Sequence, residues 1–320
     1  MKKIFISDIN GNGPLSTYFL VAQKERKLKK NGEPYWRLSL ADRTGSIDAN
    51  MWDNINEATS VLETSPIVAV IADIGEYKGQ PQLTVRQITA LSDDEYDIAD
   101  LIKALPDRDK VFAAVVAYIR EVKEPFLRTL IDTFLNDTDL MDKFKRCPGG
   151  MLWHHAYIGG LLQHTFEVMR LGIEMCAINP EVDRDLVIVG GFLHDMGKIY
   201  ELDYELSFNY TDQGRLLGHI AIGYEILERQ ANKIPGFPDD LLMELKHIVL
   251  SHQGEYEQRS PTLPQTIEAC IVYHCDNLSS QTNAFKSVVF GPRMEGESWS
   301  KWYPIISRQM LLREQKENVF

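Results

Sequence analysis

The chain has 320 residues, 44% of them hydrophobic and 25% charged, which is the composition of a folded protein with room for about two domains. A formal net charge of −12 argues against a protein that coats nucleic acid over its whole surface. It leaves room for one local basic groove, because charges are screened within about 10 Å at 0.1 M salt. No stretch approaches 18 uninterrupted apolar residues, so we expect no membrane span and no membrane partner.

The cysteines and the N-terminus indicate the compartment. The four cysteines contain no CxxC pair, and they are Cys147, Cys176, Cys270 and Cys275. Free thiols in a reducing, cytoplasmic location are the simplest interpretation. Residues 1–8 include two lysines but no long apolar stretch behind them, which is not the pattern of a signal peptide.

Residues 1–92 are predicted to form an all-β domain. Strands are expected over residues 16–22, 35–42, 46–52, 67–74 and 82–88, with a helical link over 54–62. Asn31-Gly32 is a strong hairpin signal, and residues 78–81 are predicted to form a second turn. Five strands and one helical link within about 80 residues match a small closed Greek-key barrel.

The run YWRLSLADRTGSIDANMWD, residues 35–53, resembles the second and third strands of OB-folds that bind nucleic acid. OB-folds hold single strands by stacking bases on aromatic rings beside a basic groove. The resemblance implies aromatic platforms among Tyr18, Phe19, Tyr35, Trp36 and Trp52, and phosphate contacts among Lys24, Arg26, Lys27, Lys29, Lys30 and Arg37. We favour Tyr35, Trp36, Arg37, Lys27, Lys29 and Trp52. The alternative is that the aromatic rings face the barrel core and the charged hairpin is only solvated.

Residues 93–320 are predicted to form an all-α domain with its core at 150–285. An acidic link opens it, and from residue 98 onward no strand is expected. Helices are predicted over residues 100–105, 110–122 and 125–135, with residues 136–139 capping the next. The tail contains Trp299, Trp302, Tyr303 and Pro304, and so aromatic a segment is expected to pack on this domain or on a neighbouring subunit.

Ionisable side chains in apolar surroundings dominate the second domain. His194 and Asp195 directly follow residues 186–193, which are apolar on every side as in a buried helix. Lys198 lies three residues after Asp195, so on a helix the two side chains share a face. Burying such groups is costly unless they are paired or bind a metal. We therefore predict a divalent-metal site formed by His164, His194, Asp195, His219, His252 and Asp276.

The order His164, His194-Asp195, Asp276 resembles the HD-domain metal-dependent phosphohydrolases. The runs HHAYIGGLLQHT, GFLHDMGK, GHI, LSHQGE and YHCDNL stand in the family's order over about residues 150–285. The resemblance implies a first metal bound by His164, His194, Asp195 and Asp276, and a second bound by His219 and His252, with Asp195 bridging. Imidazole and carboxylate ligands suit Mn²⁺, which we favour, or Fe²⁺, Ni²⁺ or Zn²⁺.

The same resemblance assigns roles around the metals. Asp195 and Lys198 are implied to be catalytic, with Lys198 neutralising a phosphate oxygen or positioning the attacking water. His154, His155 and Gln253 are candidates for the substrate side. Gln253 stands where some dinuclear HD enzymes have a second histidine, which argues against a third metal and against cyclic dinucleotide phosphodiesterase activity. His219 follows a glycine at a helix start, so helix capping is an alternative role for it.

The combination of an OB-type barrel, an acidic link and a helical HD domain resembles the YhaM family of bacterial 3′→5′ exoribonucleases along nearly the whole chain. That family degrades single-stranded RNA, and also DNA, and forms ring-like oligomers. The resemblance implies a metal-dependent 3′→5′ exonuclease that acts on single-stranded RNA or DNA as a homo-oligomer. Two alternatives remain: a nucleotide phosphohydrolase acting on small nucleotides, and a non-catalytic protein that binds single strands. The basic hairpin at residues 24–30 and the run CDNLSSQTNAFKSVVF depart from commoner family members.

Overall fold

The computed structural model describes residues 2, 4–77, 79–92, 94–151, 154–204, 209–291, 296–303 and 306–314. Lys78 of the predicted second turn, Asp93 of the acidic link and Pro304 of the aromatic tail lie outside the described residues. The described chain forms two compact units, one up to Ala104 and the other from Leu105 onward. No helix in these ranges combines the length and the hydropathy needed to cross a membrane.

The first unit is a closed β-barrel, as the sequence predicts. Its described strands follow the order β1-β2-β3-β5-β4, with β4 pairing back onto β1. The elements are β1 (Gly13–Leu28), β2 (Pro34–Asp42), β3 (Gly45–Met51), α1 (Ile55–Thr64), β4 (Ile67–Tyr77) and β5 (Gln80–Ala90). Along β2, residues 36, 38, 40 and 42 are buried, so the period-two alternation directs every second side chain inward. Only the β3–β5 pair is parallel among the described strands.

A short helix, α2 (Ile98–Leu101), belongs to the barrel unit. Leu101 packs in an apolar cluster with Tyr18. Asp100 Oδ2 accepts hydrogen bonds from the Tyr18 hydroxyl at 2.7 Å and from the Lys2 backbone N–H at 3.0 Å. The described residues after 92 therefore continue along the barrel, and the domain boundary between residues 92 and 93 stays a prediction.

The second unit is helical and surrounds α7, which is buried along residues 186–193. Its helices are α3 (Arg108–Arg120), α4 (Pro125–Leu135), α5 (Thr138–Arg146), α6 (Gly160–Ile178), α7 (Arg184–Leu193), α8 (Lys198–Glu201), α9 (Asp212–Ala231), α10 (Asp239–Ser251) and α11 (Ile267–Val289). α6 and α11 both pack against α7. The prediction that this domain has no strand is wrong in one detail, because β6 (Leu202–Asp203) and β7 (Asn209–Tyr210) form a two-residue antiparallel ladder. So short a ladder leaves no periodic signal in the sequence.

Candidate metal centre

Five helices bring the predicted metal ligands to one place. His164 lies on α6 and Asp276 on α11, while His194 ends α7 and is followed by Asp195. His219 lies in α9, and His252 is the C-terminal cap of α10. His164, His194 and His252 are fully buried, and Asp195 and Asp276 are 2% and 8% exposed. Residues separated by more than 100 positions in sequence thus share one polar cluster inside an apolar core.

The first ligand group consists of His164, His194, Asp195 and Asp276. The Nε2 atom of His164 lies 3.1 Å from Asp276 Oδ1 and 3.2 Å from His194 Nε2. Asp195 Oδ2 is 3.5 Å from the Nε2 atoms of both histidines. One ligand atom from each of the four residues lies within 4.8 Å of all the others, which is the spacing expected around a single ion.

The second group consists of Asp195, His219 and His252. Asp195 Oδ1 lies 3.5 Å from the Nε2 atoms of both histidines, and these atoms also fall within 4.8 Å of one another. Asp195 Oδ1 and His219 Nε2 are buried without a hydrogen-bond partner among the described residues. A buried polar atom without a partner costs about 1–3 kcal/mol. A bound cation would satisfy both atoms, so the residues fit a metal here, with one Asp195 oxygen facing each group.

The outer nitrogens of the four histidines define which ring atoms face the centre. Each Nδ1 lies against an oxygen outside the cluster: Ser279 Oγ at 3.0 Å from His164, Gly191 O at 2.8 Å from His194, Glu201 Oε1 at 3.0 Å from His219, and Val249 O at 2.7 Å from His252. Each Nδ1 therefore carries the proton that donates to its oxygen, because a backbone carbonyl or a carboxylate only accepts, and the Ser279 hydroxyl already donates its hydrogen to Glu167. Every Nε2 then presents a lone pair inward. The lone pairs of His164 and His194 repel at 3.2 Å unless a cation lies between them.

Burial and charge adjust the cluster's protonation. Burial lowers the pKa of His164 to about 4 and also lowers the pKa of His252, which keeps both imidazoles neutral at physiological pH, as metal ligands must be. Burial also lowers the pKa of His194, but the Asp195 and Asp276 carboxylates outweigh it and the net shift is upward. For both carboxylates burial acts to raise the pKa, yet the Lys198 ammonium and the His194 ring beside Asp195, and the His164 ring beside Asp276, hold it below its usual value. The cluster therefore attracts positive charge.

Lys198 connects the cluster to the loop before α6. Its Nζ donates to Asp195 Oδ2 and to Gly149 O, both at 2.7 Å. Burial lowers the pKa of Lys198, but the Asp195 carboxylate raises it more, so the amine stays charged. An ammonium group has three donors, and two are used in these contacts. Lys198 also lines the adjacent cavity, towards which its third donor is available.

Two acidic residues that the sequence analysis missed support the histidines. Glu201 Oε1 accepts both the backbone N–H and the ring Nδ1–H of His219, each at 3.0 Å. Glu201 therefore satisfies the helix-start N–H, and the His219 ring points to Asp195 instead of capping. Glu167 accepts from Ser279 Oγ at 2.6 Å and contacts His155 Nε2 at 3.2 Å. Glu201 follows Lys198 by three residues, and Glu167 follows His164 by three. This spacing puts each pair on one face of its helix and is the signal in the sequence that could have indicated them.

The three substrate-side candidates differ in position. His154 and Gln253 line a cavity of about 960 Å³, together with Lys198, His219 and Asp276. Burial lowers the pKa of His154 to about 3. His155 is fully buried against Glu167, so the geometry favours a supporting role over substrate contact. Gln253 Nε2 lies 3.3 Å from His252 Nε2.

On the barrel, the predicted nucleic-acid residues fall into two sets. Tyr35 and Trp52 stack at 4.4 Å with an interplanar angle of 22°, and Trp52 is 37% exposed. Trp36 is 8% exposed and its Nε1–H donates to Thr59 Oγ1 at 3.2 Å, so its position argues against stacking on a base. Phe19 and Tyr18 are buried as well. Three of the six predicted cations pair with acidic neighbours: Lys27 with Glu25, Lys29 with Glu33, and Arg37 with Asp48, at 3.1 to 3.3 Å.

Comparison with known proteins agrees with this site. A family model described as "HD domain" matches residues 161–281, which contain every predicted ligand, and the helical unit is therefore an HD domain. The chain is 33% identical over 271 residues to the 3′-5′ exoribonuclease YhaM of Geobacillus sp. (strain WCH70), covering 84% of this chain and 83% of that protein. It is 32% identical over 271 residues to YhaM of Bacillus subtilis (strain 168), covering 83% and 84% respectively.

The chain belongs to the YhaM 3′-5′ exoribonuclease family, as these identities over most of both lengths show. A solved structure of Rim1, the mitochondrial single-stranded DNA binding protein of S. cerevisiae, covers 26% of this chain and 97% of its own, with 16% identity and a TM-score of 0.22.

Proposed function

We propose that this protein is a metal-dependent 3′→5′ exonuclease that hydrolyses phosphodiester bonds of single-stranded RNA, with single-stranded DNA as a further substrate. The observation that carries the proposal is Asp195, whose two oxygens face two separate ligand groups beside one open cavity. Two adjacent divalent ions at such a site would clamp the attacking and leaving oxygens of an in-line displacement and supply hydroxide near neutral pH.

The protein's own groups have distinct tasks in this reaction. Asp195 contributes one oxygen to each ligand group and so fixes the position of one group relative to the other. Lys198 fixes Asp195 Oδ2 and offers its remaining N–H to an oxygen of the substrate phosphate. Glu201 orients the His219 ring, and Ser279 orients His164. Asp195, Lys198, Glu201 and Ser279 are themselves buried and hold these contacts, so little reorganisation is needed when the substrate binds.

We propose Mn²⁺ as the native ion and one ion in each ligand group. The cluster offers imidazoles and carboxylates, and no cysteine takes part in either group. A donor set of imidazoles and carboxylates suits Mn²⁺ or Fe²⁺ better than a donor set that contains thiolates would. Asp195 as a shared ligand supports two ions over one.

We also propose a cytoplasmic homo-oligomer. All four cysteines carry free thiols, three of them buried, which suits a reducing compartment. Leu278 and the tail residues Trp299 and Trp302 are 56–58% exposed, and a neighbouring subunit that covered them would remove this apolar surface from water. The stacked pair of Tyr35 and Trp52 supports a barrel that holds the strand, since exposed aromatic rings stack on bases.

Digestion of 5′-labelled single-stranded RNA with Mn²⁺ tests the proposal. The wild type should give a ladder that shortens from the 3′ end, and Asp195→Ala should give none. Asp109→Ala, at an exposed position of α3, is the matched control and should digest like the wild type. Internal fragments or shortening from the 5′ end would contradict the polarity. Hydrolysis of nucleoside triphosphates without any strand cleavage would instead identify a nucleotide phosphohydrolase.

A further inference from the structure

The cavity beside the metal ligands extends beyond what those ligands account for. Its volume is about 960 Å³. Part of its lining comes from two segments that supply none of the predicted ligands, within residues 210–217 and 258–261. Pockets of about 300–1,000 Å³ accommodate ligands larger than a single phosphate group. The cavity therefore has space for substrate atoms away from the bond that is cut.

Two arginines from these segments face the cavity without an acidic partner. Arg215, near the start of α9, and Arg259, after the 3₁₀ turn Tyr256–Gln258, are both exposed cavity-lining residues. Neither makes an ion pair or a side-chain hydrogen bond with any residue that the structure describes. Among the described residues, the Arg215 guanidinium contacts the Tyr210 ring, 5.8 Å from the ring centroid.

Position sets these two arginines apart from the others. Some exposed arginines pair with acidic residues, for example Arg37 with Asp48 at 3.2 Å and Arg120 with Asp132 at 2.7 Å. Arg229 makes no ion pair with the described residues either, but only Arg215 and Arg259 among the described arginines line the cavity. Guanidinium groups bind phosphate through two parallel N–H···O hydrogen bonds. An anionic ligand is therefore the natural partner of the two cavity arginines.

Apolar and aromatic groups next to Arg215 fit the remaining parts of a nucleotide. Tyr210 is 43% exposed, and Leu216 and Leu217 are 83% and 54% exposed, all three lining the same cavity. Aromatic rings beside cationic groups are the combination by which proteins hold single strands without reading their sequence. The segment thus offers a ring for a base next to a cation for a phosphate.

We propose that Arg215 and Arg259 bind phosphates of the strand on the 5′ side of the bond being cut, and that Tyr210 stacks on an adjacent base. The inference rests on the proposed exonuclease function and identifies how the site distinguishes a strand from a mononucleotide. A substrate with a single phosphate occupies only the metal centre. A strand also reaches the two arginines, which gives it a lower KM.

Steady-state kinetics with the Mn²⁺-loaded full-length protein test this inference. The substrates are a ten-nucleotide single-stranded RNA and a dinucleotide that has one phosphodiester. Arg215→Gln should raise KM for the longer strand by about 10- to 100-fold while changing kcat much less, because a lost charged hydrogen bond mainly weakens binding. The ratio of the two substrates' KM values should therefore collapse in this variant. Arg215→Lys keeps the charge and should recover part of the loss.

Salt dependence gives a readout that damage to the fold would not mimic. Each lost phosphate contact should reduce the slope of log K against log salt for strand binding by about 0.7. Arg229→Gln changes an exposed arginine further along the same helix, outside the cavity lining, and should match the wild type in both measurements. Tyr210→Ala should weaken strand binding without changing the salt slope.

The possible failures can be told apart. A wild type that cleaves strands, with KM and salt slope unchanged in Arg215→Gln and Arg259→Gln, would overturn the inference alone. A fall in kcat equal for both substrates would also overturn it, because the arginine would then act on the metal centre. A wild type that cleaves no strand with Mn²⁺ would overturn the proposed function, and the inference with it.

Discussion

At the scale of single residues, the site depends on side chains that hold other side chains. Glu167 is one of these. Its carboxylate accepts a hydrogen bond from Ser279 Oγ, and Ser279 Oγ in turn accepts one from the His164 ring. Gln163 Nε2 donates to its other oxygen at 2.9 Å. None of these contacts includes a ligand atom of the centre. Their effect is to fix the tautomer and the orientation of His164.

Glu167→Gln should therefore weaken metal binding without removing a ligand. Loss of such a supporting partner typically costs about 10- to 100-fold in metal affinity. We expect a loss of this size for Mn²⁺ in an isothermal titration, with hydrolysis restored at high Mn²⁺ concentration. Glu174→Gln, on the same helix, is the control. Unchanged Mn²⁺ affinity in Glu167→Gln would show that His164 is oriented by other contacts.

Glu167 should also account for part of the protein's loss of folding stability at low pH. Burial raises the pKa of Glu167, but hydrogen bonds from His155, Ser279 and Gln163 outweigh it and lower the pKa to about 2. The folded protein keeps this carboxyl ionised where the unfolded chain protonates it. Its stabilising contribution is complete above the ordinary value of 4.5 and is lost as the pH falls towards about 2. Denaturation at several pH values should show a smaller acid loss in Glu167→Gln than in the wild type.

At the scale of elements, the break in α9 positions one of the ligands. Gly218 has φ of 73° and ψ of 157°, a backbone conformation that essentially only glycine adopts, and His219 follows it directly. Gly218→Ala meets no atom within 4 Å, so its cost is backbone strain of about 1–3 kcal/mol. We expect a lower melting temperature and weaker metal binding in this variant. Gly218→Asn should lose about as much, because this region of backbone conformation is open essentially to glycine alone. Equal stability of the Ala variant and the wild type would contradict the strain.

The barrel offers a contrast between two tryptophans on neighbouring elements. Trp52→Ala should weaken single-strand binding by about 1–3 kcal/mol with little loss of stability, because the ring is exposed and stacked on Tyr35. Trp36→Ala should cost about 3–5 kcal/mol of stability, because the ring fills the barrel core. Fluorescence anisotropy with labelled RNA and urea denaturation measure the two effects. Stronger loss of RNA affinity in a folded Trp36 variant would reverse this assignment.

The elements also show how far sequence reasoning reaches. The period-two pattern of β2 and the wholly apolar run of α7 each determine one structure, so the barrel and the buried helix could be predicted. The short pair β6 and β7 could not, because two-residue strands carry no period. Trp36 lies on β2 and Trp52 directly follows β3, and only their packing separates a core ring from an exposed one.

The site shows the same limit. The clustering of His164, His194, Asp195 and Asp276 could be predicted because ionisable residues in apolar helices need a partner. Glu201 and Glu167 were missed because most acidic residues on helices are solvated, and their contacts come from side chains distant in sequence. Arg215 and Arg259 were missed for the same reason, since nothing in their local sequence indicates the cavity.

At the scale of the whole molecule, metal binding should stabilise the two units unequally. Every predicted ligand lies in the unit that begins at Leu105, and none lies in the barrel. A ligand at 100 times its Kd stabilises the folded state by about 2.7 kcal/mol. Calorimetry should thus show Mn²⁺ raising the melting temperature of the helical unit by about 5–10 °C, with EDTA reversing it. Asp195→Ala should show no such shift, and an equal shift in that variant would place the metal elsewhere.

The central claim is that six side chains, five of them buried and Asp195 shared between the two groups, form a metal centre. Its most direct test is the metal content of the full-length protein after equilibration with Mn²⁺ and removal of free ions, measured by mass spectrometry. We predict that the wild type retains one ion for each ligand group and that Asp195→Ala retains none, while Asp109→Ala matches the wild type. A metal-free wild type, or an Asp195→Ala variant with the full metal content, would contradict the claim.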